Sequence, residues 1–103
     1  MELLNVDTLY SRVVQSTDWL DLEKYEGLEG KTGVFIFSSF FFQVKYVGRA
    51  GAGDMVSKIS EAIKKGKATG STKIKVIYTT SEKHAITLEK KLILRYHPAF
   101  NLK

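Results

Sequence analysis

The chain has 103 residues, a formal net charge of +5 and no cysteine. This length supports a single hydrophobic core and therefore one domain. The lack of cysteine excludes disulfides, thiolate metal sites and cysteine nucleophiles, and it fits a reducing compartment. No apolar run approaches the ~20 residues of a membrane span, and residues 1–14 lack the basic and apolar regions of a secretory signal. We therefore expect a cytoplasmic protein that does not bind membranes.

The charge is distributed unevenly along the chain. Residues 1–30 are acidic, with Glu2, Asp7, Asp18, Asp21, Glu23, Glu26 and Glu29 against Arg12 and Lys24. The remainder is basic, and its lysines concentrate around one predicted helix and the next strand: Lys58, Lys64, Lys65, Lys67, Lys73 and Lys75. A basic surface attracts polyanions such as nucleic acid. A lysine surface that only keeps the protein in solution is the equal alternative.

The first elements in chain order are a helical segment and a hairpin. Residues 1–30 read as helical, because Leu9, Val13 and Val14 are spaced for one helix face. The runs GVFIF at 33–37 and QVKYVG at 43–48 predict two strands that form an antiparallel hairpin. Strict alternation along the second strand places Val44 and Tyr46 on one face.

The second half of the chain predicts helix, strand and helix. A helix over about 54–65 follows from the apolar arc of Met55, Ile59 and Ala62. A strand over 73–80 follows a loop, and a last helix runs from Thr80 or Ser81 to about Tyr96, before Pro98. The order α-β-β-α-β-α predicts an α/β (α+β) domain, in which helices flank a small three-stranded antiparallel or mixed sheet.

Glycines at 48, 51 and 53 lie between the second strand and the following helix. Such turns often bind phosphate groups. No Gly-Lys-Ser/Thr sequence closes this one, so a nucleotide-binding loop is not expected.

One carboxylate of the last helix lies on its apolar side. Ala85, Leu88 and Leu92 define an apolar arc, and Glu89 falls about 40° from Ala85, inside that arc. A carboxylate there is costly unless it is paired, hydrogen-bonded or bound to metal. Three interpretations stay open at this point: an ion pair with a lysine or Arg95, a position at the edge of a narrow core, and a metal ligand or acid–base group in a pocket.

Several short motifs occur in a fixed order: Gly33-Val34-Phe35, Tyr46-Val47-Gly48, Leu88-Glu89 and His97-Pro98-Ala99-Phe100-Asn101. Together they resemble the GIY-YIG nuclease superfamily, in particular the nuclease domain of the bacterial excision-repair incision subunit and small single-domain relatives. The resemblance covers about residues 32–102. It implies a nuclease domain over 32–103, with residues 1–31 as an acidic helical extension packed on the same domain.

The resemblance implies hydrolysis of DNA phosphodiester bonds with one divalent metal ion, Mg²⁺ or Mn²⁺. Glu89 would hold the metal, Tyr46 would position or activate water, and Lys58 stands where the family has a catalytic arginine. Expected DNA contacts are Arg49, Lys64, Lys65 and Lys67. Expected structural support for the site comes from Gly33, Phe35, Gly48 and Asn101.

Two positions depart from the family pattern. Phe35 lacks the hydroxyl of the family's first tyrosine, and Lys58 lacks the bidentate fork of arginine. A catalytically impaired nucleic-acid-binding domain is therefore the alternative, and a protein-interaction module is a further one. High sequence specificity would need a protein partner or an oligomer. Repair, phage, mobile-element and restriction roles all remain open.

Overall fold

The structure is a computed structural model that describes residues 13–101. Within this range the strands are β1 (Val13–Ser16), β2 (Leu20–Asp21), β3 (Gly33–Ser38), β4 (Val44–Ala50) and β5 (Lys73–Thr79). The helices are α1 (Met55–Lys64) and α2 (Glu82–Tyr96). Short 3₁₀ helices occupy Leu22–Gly27 and Ala99–Asn101. From residue 33 to residue 96, the predicted elements agree with the observed ones to within two residues.

The strands form one antiparallel sheet in the order β1-β5-β3-β4, and β2 pairs with the same edge of β5 as β1 does. The predicted hairpin is present as β3 and β4. The fold is thus mixed α/β with an antiparallel sheet, as expected. The prediction of three strands is wrong, because the described residues form five.

The extra strands come from the segment that was predicted to be helical. Residues 13–21 form β1 and β2, and only Leu22–Gly27 is helical, in a 3₁₀ conformation. Thr17 links this segment to β5: its backbone N–H donates to the Val76 carbonyl at 2.9 Å, and its Oγ1 accepts from the Val76 N–H at 3.0 Å. Pairing satisfies the backbone groups of β5 that an unprotected edge would expose. The rest of the helical prediction, at residues 1–12, lies outside the described residues.

The sheet has a hydrophobic cluster and a helix on each face. Val34 and Ile36 of β3 pack toward α2, whereas Phe35 and Phe37 point to the opposite face, which α1 covers. The buried residues of the helices are Met55, Ile59 and Ala62 in α1, and Ala85, Leu88 and Leu92 in α2. The domain therefore has three layers, with the sheet in the middle.

A β-bulge interrupts the alternation of β4. Phe37 pairs with Tyr46 but Ser38 pairs with Val44, so Lys45 is an extra residue. Val44 consequently packs in the cluster beside α2, while Tyr46 packs in the cluster beside α1. The prediction that these two side chains share a face is wrong for this reason.

The ends of α2 follow local capping chemistry. Ser81 Oγ accepts a hydrogen bond of 3.3 Å from the His84 backbone N–H, as an N-cap does. His97 adopts a left-handed conformation, with φ of 45°, and the helix ends before Pro98. Asp54 precedes α1, but its side chain makes no capping hydrogen bond. No helix within residues 13–101 is long and apolar enough to cross a membrane.

Gly48 allows close packing of the Phe35 ring against β4, and we expect Gly48→Ala to destabilise the fold. A Cβ at this position would overlap the Phe35 ring, which lies against the Gly48 backbone. Overpacking of this kind costs about 1–3 kcal/mol. Urea unfolding measures the loss, with Gly27→Ala as the control, since a Cβ at Gly27 has nothing within 4 Å. Equal stability of the two variants would contradict the packing described here.

Candidate active site

A cleft of about 390 Å³ opens beside β4. Strand β4 lies at the edge of the sheet, so α1 on one face and α2 on the other both reach this cleft. Its cations are Arg49, Lys58, Lys65 and Lys67, and its carboxylates are Asp54, Glu61, Glu82 and Glu89. Phe35 and Tyr46 provide aromatic surface. The cleft therefore combines a phenol with equal numbers of positive and negative side chains.

Tyr46 lies among aromatic rings on the α1 side of the sheet. Its ring centroid is 6.1 Å from that of Phe35 and 5.8 Å from that of Phe37. Lys67 Nζ lies 5.6 Å from the Tyr46 centroid and donates to the Phe100 carbonyl at 3.0 Å. Burial raises the pKa of Tyr46 above its usual value, and the charges of Glu89 and Glu61 raise it further. Tyr46 is consequently a neutral phenol at neutral pH.

Glu89 reaches the cleft from α2, and its side chain is only 22% exposed. Its Oε1 accepts from Arg49 Nε at 3.2 Å, while Arg49 Nη1 lies 3.2 Å from Glu82 Oε2. Arg49 thus bridges two carboxylates that are two helical turns apart. The ion pair considered from the sequence does form, but its cation is Arg49 rather than a lysine or Arg95.

The residues predicted for the site converge only in part. Tyr46, Glu89, Lys58, Arg49, Lys65, Lys67 and Phe35 line the same cleft. Lys64 is exposed on α1 and does not line it. Lys58 Nζ lies 3.7 Å from Glu61 Oε1, a pairing that its spacing of three residues allows.

The predicted basic cluster is smaller than the sequence indicates. Lys73 hydrogen-bonds to Asp21 at 2.8 Å, which holds the pKa of that carboxyl below its usual value. Lys75 is buried, and its Nζ donates to the Thr17 carbonyl. These two lysines therefore stabilise the N-terminal strands and do not extend the charge of the cleft.

Sequence reasoning assigned no site role to Asp54, Glu61 or Glu82. Glu82 had a detectable signal, because it lies two turns before Glu89 on nearly the same side of α2. Its place at the start of the helix offered a simpler explanation, since acids are favourable there. Asp54 and Glu61 carried no comparable signal.

Three of the four predicted support residues, Gly33, Gly48 and Asn101, make close contacts through or with the backbone. Asn101 Oδ1 accepts from the Val47 N–H at 2.8 Å, and its Nδ2 donates to the Val47 carbonyl at 2.9 Å. It thereby pairs with the free edge of β4 as a neighbouring strand would. Gly33 leaves room for the Ile77 carbonyl, which a Cβ would overlap.

The described residues fit an open metal site with one or two carboxylates, but they do not fit a site with three converging protein ligands. Within residues 13–101 no three His, Cys, Asp or Glu side chains converge to hold a metal ion. Mg²⁺, however, commonly binds through one or two carboxylates, keeps several waters and completes its shell with substrate phosphate. Glu89 fits such an open site, since it lines a cleft that is open to solvent.

No family model matches this chain, and a search of curated proteins finds no match either.

We expect Glu89→Gln to lower the pKa of Tyr46, because it removes a neighbouring negative charge. The value should stay above that of a free tyrosine, since burial is the larger cause and does not change. NMR of isotope-labelled tyrosine through an alkaline titration measures the shift, and Tyr46→Phe assigns the resonance. Tyr78 is the internal control: its pKa is raised by burial and by Glu29 and should not move. An unchanged Tyr46 titration would contradict the electrostatic influence of Glu89 on Tyr46.

Proposed function

We propose that this protein is a metal-dependent DNA endonuclease that hydrolyses phosphodiester bonds in the β4 cleft. The observation that carries the proposal is the convergence of Tyr46, Glu89 and Arg49 in one cleft that further cations line. These residues come from β4 and α2, on the two motif segments that resemble the GIY-YIG nucleases. The strands of the resembling region, β3, β4 and β5, lie in one sheet between two helices, which is compatible with the likeness.

Tyr46 positions the attacking water in this proposal. With its pKa raised, the phenol keeps its proton at neutral pH, so it donates one hydrogen bond and accepts others. Glu89 would hold the Mg²⁺ or Mn²⁺ ion. When bound, such an ion supplies Lewis-acid stabilisation of charge on the phosphate oxygens. The equal numbers of cations and carboxylates in the cleft favour a metal requirement, because the carboxylates would otherwise repel phosphate.

Arg49, rather than Lys58, is assigned to stabilise the negative charge that develops on the phosphate. Its planar guanidinium presents paired donors that match phosphate oxygens. It already contacts Glu89 and Glu82, whereas Lys58 is half exposed and lies beside Glu61. Glu82 holds the guanidinium in the cleft when Glu89 takes another partner. Lys58, Lys65 and Lys67 attract the DNA backbone.

The nicking of supercoiled plasmid in Mg²⁺ or Mn²⁺ tests the proposal. We expect Glu89→Gln to lower the rate at least about 100-fold, the usual effect of losing one group that stabilises a transition state. Glu26→Gln makes the same charge change on an exposed 3₁₀ helix and should nick like the wild type. Nicking that survives in Glu89→Gln, or in the presence of a chelator, would overturn the proposal.

DNA binding without efficient hydrolysis is the second candidate, and two observations favour it. Phe35 lines the cleft without a hydroxyl, and Arg49 occupies the carboxylate that a metal would use. This candidate requires salt-sensitive DNA binding with no nicking, because phosphate contacts weaken as salt rises. Restoring the hydroxyl with Phe35→Tyr should then increase nicking. If the protein neither binds nor nicks DNA, the protein-interaction module is the candidate that remains.

The assignment of Arg49 over Lys58 makes a separate prediction. We expect Arg49→Lys to slow single-turnover cleavage about tenfold or more, because the charge remains but the fork is lost. Lys58→Gln should mainly weaken DNA binding and change the cleavage of bound substrate little. Cleavage with substrate in excess includes the effect on DNA binding, whereas single-turnover cleavage measures the cleavage of bound substrate. A comparison of the two rates therefore separates the effects. A larger single-turnover loss in Lys58→Gln would return the catalytic role to Lys58.

We further propose a cytoplasmic location, as the sequence predicts, with DNA repair as one setting. The described residues contain the β4 cleft for the reaction but no separate domain for the recognition of a DNA sequence. We therefore assign sequence or structure selectivity to a partner protein or an oligomer, or to contacts next to the cleft.

A further inference from the structure

Helix α2 separates its charges by sign around its circumference. Its two carboxylates, Glu82 and Glu89, line the cleft, where both contact Arg49. Its exposed cations lie on the side of the helix that faces away from the sheet, and we call this side the outer face of α2. The cations that define the outer face are Lys83, Lys90, Lys91 and Arg95. The helix contributes no carboxylate to this face.

Ion pairs do not neutralise the cations of the outer face. In the cleft, by contrast, Arg49 contacts two carboxylates and Lys58 lies 3.7 Å from Glu61. The ion pairs formed within residues 13–101 include none of the four outer-face cations. Arg95 lies instead beside the Tyr96 ring, with its Cζ 5.8 Å from the centroid. The outer face therefore presents uncompensated positive charge, whereas the charges of the cleft balance.

This charge pattern is unfavourable for the helix itself. Exposed helices gain stability from opposite charges three or four residues apart, but neither glutamate of α2 has a lysine or arginine at that spacing. Lys91 and Arg95 are four residues apart and repel each other. Lys83 lies in the first turn, where the helix dipole disfavours a cation. A surface that served solubility alone would mix both signs, so the pattern favours a bound polyanion.

We propose that the outer face of α2 binds the phosphate backbone of double-stranded DNA outside the cleft. This proposal rests on the proposed function only in the choice of DNA as the polyanion, and it does not require hydrolysis. From Lys83 to Arg95 the helix rises about 18 Å. This length corresponds to about five phosphates along the axis of one DNA strand. One row of cations therefore matches a short stretch of one strand.

The composition of the outer face favours DNA over a membrane or an acidic protein. A helix that binds a membrane surface buries an apolar face in the lipid, whereas the apolar side of α2 packs against the sheet. A protein interface has an apolar core, but among the described residues α2 exposes one large apolar side chain, Leu94. Contacts to a DNA backbone, by contrast, need only correctly spaced cations.

The salt dependence of duplex binding, measured by fluorescence anisotropy with a chelator present, tests the proposal. We expect Lys83→Gln with Lys90→Gln to reduce the slope of log affinity against log salt by about 2, because each lost phosphate contact removes about 0.9. Lys24→Gln with Lys31→Gln is the matched control. It removes the same charge from exposed positions, and Lys24 lies on a 3₁₀ helix at the α1 side of the sheet. Lys83→Arg with Lys90→Arg should keep the wild-type slope.

An unchanged slope in the Lys83 and Lys90 glutamine variant would overturn the outer-face contact, as would an equal loss in the control or a wild type that binds no duplex. Vesicles with acidic lipids and sedimentation velocity cover the other occupants. Vesicle binding or self-association that the variant loses, with unchanged DNA affinity, would also overturn it. Plasmid nicking separates this result from the proposed function. Glu89-dependent nicking with an unchanged slope removes only the outer-face contact, and a reduced slope without nicking removes only the endonuclease.

Discussion

The bulge at Lys45 determines which helix each side chain of β4 meets. It shifts the alternation by one residue, so Tyr46 faces α1 while Val44 and Val47 both pack beside α2. With strict alternation, a strand that kept Val44 on the α2 side would bury Tyr46 there and leave the cleft without its phenol. The same shift sets the direction of Arg49, which lies two residues after Val47 and therefore reaches the carboxylates of α2. The whole candidate site thus depends on one extra residue.

The position of β4 at the edge of the sheet matters as much as its register. A central strand would separate the two helices by the full sheet, whereas an edge strand lets side chains from both faces meet around it. The exposed backbone of such an edge must be satisfied. Asn101 does this at Val47, and the neighbouring Phe100 carbonyl holds Lys67 over the Tyr46 ring. The C-terminal segment therefore protects the edge and places a cation in the cleft through the same turn.

What the sequence predicted correctly is local, and what it missed depends on distant contacts. The face of α2 that carries Glu89 follows from a helical period within one segment. The strands β1 and β2 depend on pairing with β5 across more than fifty residues, as between Thr17 and Val76, and their apolar spacing also fits a helix. The bulge is visible only in the pairing of β4 with β3, and the apolar pattern of the sequence carries no signal for it. The sequence therefore favoured a DNA contact for Arg49 over a place in the site, because its approach to α2 requires both the bulge and the edge.

The bridge from Arg49 to two carboxylates explains how Glu89 is accommodated on an apolar helix face. A poorly hydrated carboxylate with no partner is costly, often by several kcal/mol. Arg49 offsets that cost, because it contacts Glu89 and Glu82 together. In the proposed reaction Glu89 would hold the metal ion, and Arg49 would keep Glu82 as its partner while its remaining N–H donors face the phosphate. Glu82 is the more exposed of the two carboxylates. It would therefore keep Arg49 in the cleft while Glu89 holds the metal ion.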